Sequence, residues 1–465
     1  MAENEFGISS KAKEIIASQG YTPSYAMDAH IAQWRAMYTA TDEKFYKVPY
    51  VTSQGKKRHR ERASIRPARK VCREMASLIL TEDTEVSVEA PRANKWLQDH
   101  LAKSNFWPTG YDVVEDAFAL GTSAWTLRID VQEETRILLP RCDARMIVPL
   151  EWGADGVTVC AFVSRVMARR KAYEQLQIMD VDEGTYHIRT WLIDEGKVAD
   201  AEALGVLPDF DTRSRFKPFG IFTPGISNIY EDLSPFGPSL FADAIDEIKA
   251  VDTAWDAIVQ EVALTGVKVF LDEELLEVQA DAEGNVVPVG AMEDMVYRKL
   301  AGKEMRNYIE VFSPNIRTDP LVTALNTALA ELGDTCGFGQ NYFTLDKPGG
   351  LKTAKEVVSD SSQLMRTVRK HENVIRGAIQ DVVGALLDNA RVHCGADVEE
   401  DFGPVSVAFD DSVIADTESE KAMMLSEIAA GVVPKWMYLQ KFYGMSEEEA
   451  RREVGAEVSD EGYWC

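Results

Sequence analysis

Apolar residues recur with a helical period in the middle of the chain, and they predict a long helix after Ser239. Their alternating steps of three and four residues form a heptad seam, which is typical of helices that pack side by side. Acidic residues occupy much of the opposite side, so the helix would present one apolar and one negatively charged face. The seam consists of Phe241, Ala244, Ile248, Val251, Trp255, Ile258 and Val262, and the acidic face of Asp243, Asp246, Glu247 and Asp256.

Two further helices follow in the second half of the chain. The first begins at Thr318, where a capping residue, an acid and an early proline stand in favourable positions, and it ends before Gly337. The second begins with the capping box at 353–356 and continues without a proline to about His393. That helix would be roughly 60 Å long at 1.5 Å per residue. It must therefore cross a large assembly or lie along another extended element.

Shorter elements surround these helices and indicate an α+β fold. Four helical stretches are predicted before residue 121, and β-branched and aromatic runs then predict an antiparallel sheet. Three more strands are predicted between the first two long helices, and a strand and three short helices complete the chain. The sheet comprises 125–130, 135–139, 157–166 and 186–193; the inserted strands are 267–271, 286–289 and 308–312; the last strand is 405–409.

A basic run at 56–73 contrasts with the rest of the chain. Such a run is consistent with contacts to nucleic acid or phosphate. It is also consistent with a subunit interface that pairs with acidic residues of another copy, which we favour because complementary charge promotes assembly. Both interpretations remain open from the residues alone. The patch residues are Lys56, Lys57, Arg58, Arg60 and Arg62.

The connection at 337–352 is long for a link between two helices, which commonly takes about 2–8 residues. It is rich in glycine and aromatic residues and carries two lysines. Its length favours a working element over a plain surface connection. The candidate residues are Gly337, Gly339, Tyr342, Phe343, Lys347 and Lys352.

Composition and charge limit the classes of function. The chain has 465 residues, of which 45% are hydrophobic and 27% are charged, which is typical of a soluble globular protein. A formal net charge of −26 disfavours tight wrapping of DNA, because phosphate binding needs clustered Lys and Arg. The six cysteines show no zinc spacing and indicate reduced thiols. No apolar stretch is long enough to predict a membrane span or a signal peptide.

No catalytic motif emerges, and we assign no catalytic residue, no metal ligand and no cofactor. Asp410, Asp411 and Asp416 follow the last predicted strand, where turn and helix-start positions account for them. His371 is predicted to lie on a solvated helix face, and Cys336 at a helix C-terminus, which disfavours a thiolate.

Several segments together resemble the portal proteins of tailed bacteriophages, in particular the branch found in long-tailed phages of Gram-positive hosts. The resemblance extends from about Arg66 to Val454, and its specificity lies in the order of the segments. The segments are RPARKVCREMASLILTEDTEVSV, FALGTSAWTLRID, SPFGPSLFADAIDEIKAVDTAWDAIVQE, KTAKEVVSDSSQLMRTVRKHENVI, VAFDDSVIADTESEKAMMLSEIAAGVV and YGMSEEEARREV.

The resemblance implies a homo-oligomeric ring, usually of twelve subunits, at one vertex of the capsid. Double-stranded DNA enters and leaves through the central channel, and a separate terminase large subunit drives packaging, so the portal is not itself an enzyme. The other implied partners are a head–tail adaptor and the major capsid and scaffolding proteins, with no membrane. The location is the virion, after assembly in the host cytoplasm. The heptad seam would face neighbouring subunits, and the acidic face would line the channel.

The family's regions can be placed on this chain. They describe a ring subunit with an outer wing, stem helices, an inserted clip, a tunnel loop and a crown. The wing would comprise 1–236, the first stem helix 237–265, the clip 266–317, the second stem helix 318–336, the tunnel loop 337–352, the long wing helix and strand 353–411, and the crown 412–465.

Two other classes remain alternatives at this point. One is a cytosolic metabolic enzyme with an α/β core, for which no cofactor pocket is identified. The other is a coiled-coil structural adaptor without DNA contact. A ring would have a mass of hundreds of kilodaltons, so a mass measurement separates the alternatives.

Overall fold

The chain is a mixed helix-and-sheet protein, which confirms the predicted class. The structure is a computed structural model. It describes residues 8–51, 56–81, 83–130, 136–265, 268–272, 278–280, 286–288, 296–299, 309–312, 317–345, 354–409, 417–429, 431–443 and 445–460.

Helices dominate the first 120 residues, as the pattern predicts. Pro67 and Pro91 each occupy the first turn of a helix, where the missing N–H costs nothing. Gly121 ends the last of these helices in the left-handed conformation, with φ +84°. The helices are α1 (Ser10–Ser18), α2 (Asp28–Thr39), α3 (Glu43–Tyr46), α4 (Pro67–Ile79), α5 (Pro91–Lys103) and α6 (Phe106–Leu120).

A β-hairpin between α3 and α4 is absent from the sequence expectations. Its strands β1 (Lys47–Val51) and β2 (Lys57–Glu61) pair antiparallel along their full length. The basic run therefore begins in a strand and reaches its helix only at Pro67. Alternating apolar residues normally reveal a strand, and β2 has none.

The largest sheet is antiparallel and has the order β12-β11-β10-β9-β8, with β13 paired to β11. Helix α1 covers one face and forms a separate apolar core with it. β3 (Glu85–Val88) lies outside this sheet. The following strands are β4 (Ser123–Thr126), β5 (Arg128–Asp130), β6 (Arg136–Leu138), β7 (Arg141–Asp143), β8 (Ile147–Gly153), β9 (Gly156–Ala168), β10 (Lys171–Asp182), β11 (Thr185–Asp194), β12 (Lys197–Ala199), β13 (Asp209–Asp211) and β14 (Phe219–Phe222).

The predicted heptad helix is present but starts later than expected. A 3-10 turn at Ala242–Ala244 precedes helix α7 (Ile245–Leu264). Ser239 does not cap the helix, since its hydroxyl donates to the Phe118 carbonyl at 2.8 Å. Beyond α7 come β15 (Lys268–Asp272), β16 (Val278–Ala280), β17 (Val286–Pro288), β18 (Val296–Lys299), β19 (Ile309–Phe312) and helix α8 (Thr318–Thr335).

The third long helix, α9 (Ala354–His393), has 40 residues and confirms the prediction. Strand β20 (Val405–Ala408) then pairs with β3. The chain continues with α10 (Thr417–Ala429), α11 (Lys435–Tyr443) and α12 (Glu447–Asp460). The predicted capping box before α12 forms: the Ser446 N–H donates to Glu449 at 3.1 Å, and the Glu449 N–H donates to the Ser446 hydroxyl at 3.3 Å.

Helix α7 holds the hairpin region through two carboxylates one turn apart, Asp252 and Asp256, which we call the carboxylate clamp. Asp252 accepts hydrogen bonds from the Tyr46 hydroxyl at 2.7 Å, the Ser64 hydroxyl at 2.7 Å and the Ile65 N–H at 3.1 Å. Both acids are buried, so these bonds replace the water that each carboxylate loses.

Asp256 receives the charged partner of the clamp. Both terminal nitrogens of Arg60 donate to it, at 2.8 and 2.6 Å, and the Ala63 N–H donates at 3.0 Å. The Arg60 hydrogen bonds lower the pKa of Asp256, whereas burial raises the pKa of Asp252. In the clamp, the charged form of Asp256 is therefore stabilised by Arg60, whereas burial disfavours the charged form of Asp252.

Helix α9 lies directly against strand β14. A Cβ atom on Gly220 would stand 2.1 Å from the carbonyl oxygen of Ala378. No side chain fits in this contact. Gly377 directly precedes Ala378 on the same helix, but a Cβ atom at that position would have nothing within 4 Å.

We expect Gly220→Ala to force β14 and α9 apart and to lower the free energy of unfolding by about 1–3 kcal/mol. Thermal denaturation followed by circular dichroism measures this. Gly377→Ala is the matched control, and it should stabilise by about 0.5–1 kcal/mol because alanine favours the helix. Equal melting temperatures for the two variants would contradict the close contact.

We expect Asp256→Ala to destabilise the protein by about 1.5–3 kcal/mol at neutral pH, the range for hydrogen bonds to charged groups. Asp246→Ala on the same helix is the control, and it should cost at most about 0.5 kcal/mol because its side chain is 96% exposed. Denaturant titration gives both values.

The cost of Asp256→Ala should also depend on pH. The folded pKa of Asp256 lies below its ordinary value of about 3.9, so its stabilisation is present above that pH. It is lost as the pH falls through the folded pKa. A difference between the wild type and the variant that grows under acid would contradict the Arg60 pairing.

Candidate functional site

The heptad seam lies mostly inside the chain's own core, which corrects its assignment as a subunit interface. Phe241, Ile248 and Val251 are fully buried among residues of the same chain. Trp255 and Ile258 are half-buried and pack against that core. Only the C-terminal end of the seam emerges, since Val262 is 60% exposed. A heptad pattern records a buried stripe, and here the covering surface comes from the same molecule.

The acidic face is narrower than predicted. Asp243 and Asp246 are exposed, while Glu247 is half-buried and its Oε2 has no hydrogen-bond partner among the described residues. Asp256 does not belong to this face, because it is buried in the carboxylate clamp against Arg60. The exposed side of α7 also carries Ala250 and Thr253, so it combines negative charge with small side chains.

The basic run divides into two parts. Arg60 belongs to the clamp, and Arg62 donates to the Phe45 carbonyl and to the Thr253 hydroxyl. These two residues therefore bind within the chain and do not form a free basic patch. Lys56, Lys57 and Arg58 are exposed near the tip of the hairpin.

The loop after α8 is partly a folded cap on the helix end. Gly337 and Gly339 have φ of +82° and +88°, values that suit glycine. Phe343 is 5% exposed and packs on Phe338 at 4.9 Å between ring centroids, so it belongs to the interior of this cap. Tyr342 is 40% exposed and its hydroxyl donates to Glu74 at 3.4 Å. Lys347 and Lys352 lie outside the described residues.

An ion pair joins the two helices at the base of the inserted strands. Arg317 donates to Glu261 through Nε at 3.0 Å and through its terminal nitrogen at 2.7 Å, and its backbone N–H adds a third bond at 3.2 Å. The pair connects the end of α7 to the start of α8. It ties the two helices together on either side of the segment that separates them in the chain.

Sequence reasoning did not single out Asp252, Glu261 or Arg317. The clamp could have been predicted from the four-residue spacing of Asp252 and Asp256, which places both acids on one face of the helix beside the apolar seam. Acids that close to a buried stripe need hydrogen-bond partners from another element. No comparable signal marks the Glu261–Arg317 pair, whose members are far apart in the chain.

The described residues offer little for catalysis. His371 is 1% exposed, which corrects its predicted surface position; its Nδ1 accepts the Gly225 N–H at 2.9 Å, and burial lowers its pKa to about 3. Burial raises the pKa of the Cys336 thiol, which disfavours a nucleophile. No group of three potential metal ligands converges within the described ranges. Asp410, Asp411 and Asp416 lie outside those ranges.

The helices of the described residues include none that is both long and apolar enough to cross a membrane.

Comparison with solved structures finds chains from gene transfer agent (GTA) particles. The neck of a native GTA particle computed with C12 symmetry is 10% identical, with 93% of this chain and 98% of that chain covered at a TM-score of 0.42. The virion of a native gene transfer agent particle is 11% identical, with 94% and 99% covered at 0.43. The neck of an empty GTA particle computed with C6 symmetry is 11% identical, with 96% and 99% covered at 0.43.

No curated protein matches the chain in sequence. A family model does match, and its description is phage portal protein, SPP1 Gp6-like. The match runs from residue 27 to residue 457 and so includes the clamp, both helices of the α7–α8 pair, α9 and the C-terminal helices. The chain therefore belongs to the SPP1 Gp6-like family of phage portal proteins.

Proposed function

We propose that this protein forms the ring-shaped channel through which the genome is packaged and ejected, and which joins head to tail. The observation that carries the proposal is the family match over residues 27–457. The order of the observed elements supports it, because the α7–α8 pair flanks a strand-rich insert and the 40-residue α9 follows. The portal family is a structural one, and the proposal assigns this chain no catalytic step.

We propose the following assignment of the family's regions to the observed elements. α7 and α8 are the stem, the strands β15 to β19 belong to the clip at 266–317, and the segment 337–352 is the tunnel loop. α9 and the sheet of β8 to β13 belong to the wing, and α10, α11 and α12 form the crown. The ion pair between Glu261 and Arg317 supports this division, because it closes the stem where the clip is inserted.

Charge explains how such a channel could pass DNA without binding it tightly. Asp243 and Asp246 are exposed on the stem, and the whole chain carries a net charge of −26. Repeated around a ring, these carboxylates repel phosphate and keep the duplex away from the wall. Tyr342, Lys347 and Lys352 of the tunnel loop are proposed to contact the DNA near the axis, and the two lysines would attract it weakly, whereas Gly337 and Gly339 belong to the cap on the end of α8.

The proposed partners are those of a portal vertex in a virion. A terminase large subunit would supply the energy for packaging, and a head–tail adaptor would bind the assembled ring. Major capsid and scaffolding proteins would surround the wing. Twelve copies is the expected ring size, as the family resemblance implies.

A ring of twelve 51.8 kDa chains has a mass of about 620 kDa. We expect purified protein to contain a particle of this mass in light scattering after size exclusion and in native mass spectrometry. A protein that stays between monomer and tetramer at every concentration would contradict the proposal.

The exposed C-terminal end of the seam, at Val262, allows a test of where neighbouring subunits make contact. Val262→Asp should leave the fold intact, since the side chain is 60% exposed, but it should reduce the fraction of protein in rings. Val251→Asp is the comparison, because a charge at that buried position should abolish folding itself. Circular dichroism and light scattering separate these effects. Normal ring yield for Val262→Asp would exclude this end of α7 from the interface.

A further inference from the structure

The hairpin of β1 and β2 stands out from the molecule with little cover of its own. Both strands are exposed toward the tip, where Tyr50 is 43% and Val51 is 63% exposed. An isolated two-stranded hairpin is marginally stable in water at best. An element of this kind gains stability when another surface covers it.

The base of the hairpin is fixed, and this fixes the direction of the tip. Tyr46, Arg60 and Ala63 all bond to the carboxylate clamp on α7. From Arg60 to Lys57 the strand extends about 10 Å at roughly 3.3 Å per residue. That length matches the spacing of about 8–10 Å between packed helices. The tip can therefore reach about one helix diameter beyond its anchor.

The side chains of the tip suit a protein partner. Tyr50 stands opposite Arg58, and Val51 stands opposite Lys57. Tyrosine and arginine are enriched in the cores of protein interfaces, and an exposed valine adds nothing to phosphate binding. Pro49 lacks a backbone donor, and charged residues line β2, so both strand edges resist the addition of another strand. Docking would therefore use side chains.

The stem supplies the complementary charge. Helix α8 carries the exposed acids Asp319, Glu331 and Asp334 and contains no Lys or Arg. Within one chain, the same attraction already joins the hairpin to the stem through Arg60 and Asp256, at 2.6 Å. A second copy of this chain therefore presents acids that the exposed Lys57 and Arg58 can bind.

We propose that the hairpin is an intersubunit arm, which docks through Tyr50, Val51, Lys57 and Arg58 on the acidic surface of α8 of the adjacent copy. This inference rests on the proposed ring and adds one of its contacts. The arm and the clamp then form a continuous connection, because each hairpin is anchored on its own stem and bound to the next.

The first test reverses charge at the tip. Lys57→Glu combined with Arg58→Glu should cause loss of the ring, with monomer that melts at the wild-type temperature because both side chains are exposed. Lys95→Glu combined with Lys197→Glu is the control, since it makes the same change in net charge at exposed sites elsewhere. The control should retain its rings. Rings of wild-type yield and salt resistance in the tip variant would overturn the inference.

The second test locates the contact. Rings are assembled from a mixture of ¹⁴N-labelled and ¹⁵N-labelled chains and treated with a carbodiimide, which joins lysine amines to adjacent carboxylates. Mass spectrometry should then find Lys57 linked to acids of α8 in peptides of mixed isotope. Lys57 cross-links confined to one isotope within each peptide pair would overturn the inference.

The outcomes also separate this inference from the proposed function. A wild-type chain that never forms rings would overturn the ring, and the arm with it. Wild-type and tip-variant rings of equal stability would leave the portal function standing and overturn the arm alone. If those variant rings also bound less duplex DNA, the hairpin would be a DNA contact instead.

Discussion

The structure depends on how completely α7 is held by its own chain. One side buries Ile248 and Val251 in the main core, and another binds the hairpin through the carboxylate clamp. α8 packs against a third side, tied by Glu261 and Arg317. The exposed remainder of α7 is a narrow acidic face with small side chains. In a ring, α7 can therefore contact DNA or a neighbouring subunit only through that face and through its end near Val262.

This arrangement explains which parts of the fold were predictable. Helical periodicity located α7, α8 and α9 correctly, because a buried apolar stripe on a helix has the same sequence pattern whichever surface packs against it. For the same reason, the pattern could not reveal that the cover for Ile248 and Val251 is intramolecular. Strand β10 escaped prediction because its buried positions include Gln175 and Asp180, which disturb the alternation.

In the candidate site, the sequence likewise did not reveal which partners surround the charged and polar residues. Sequence placed Asp246 and Asp256 on one acidic face, yet Asp246 is solvated and Asp256 is paired with Arg60, which is nearly two hundred positions away. His371 was expected at the surface because its neighbours are charged, but it is packed against Phe118 and bonded to the Gly225 backbone. Long-range partners decide whether a polar residue is structural or available, and local sequence does not record them.

We propose that α7 belongs to its own subunit's core and turns its acidic face toward the axis of a ring. A cryo-electron microscopy reconstruction of the purified protein tests it directly. The account predicts a closed ring with a central channel, with Ile248 and Val251 covered by their own chain and Asp246 directed toward the channel. A reconstruction without a ring, or one in which Ile248 and Val251 pack against a neighbouring copy, would contradict it.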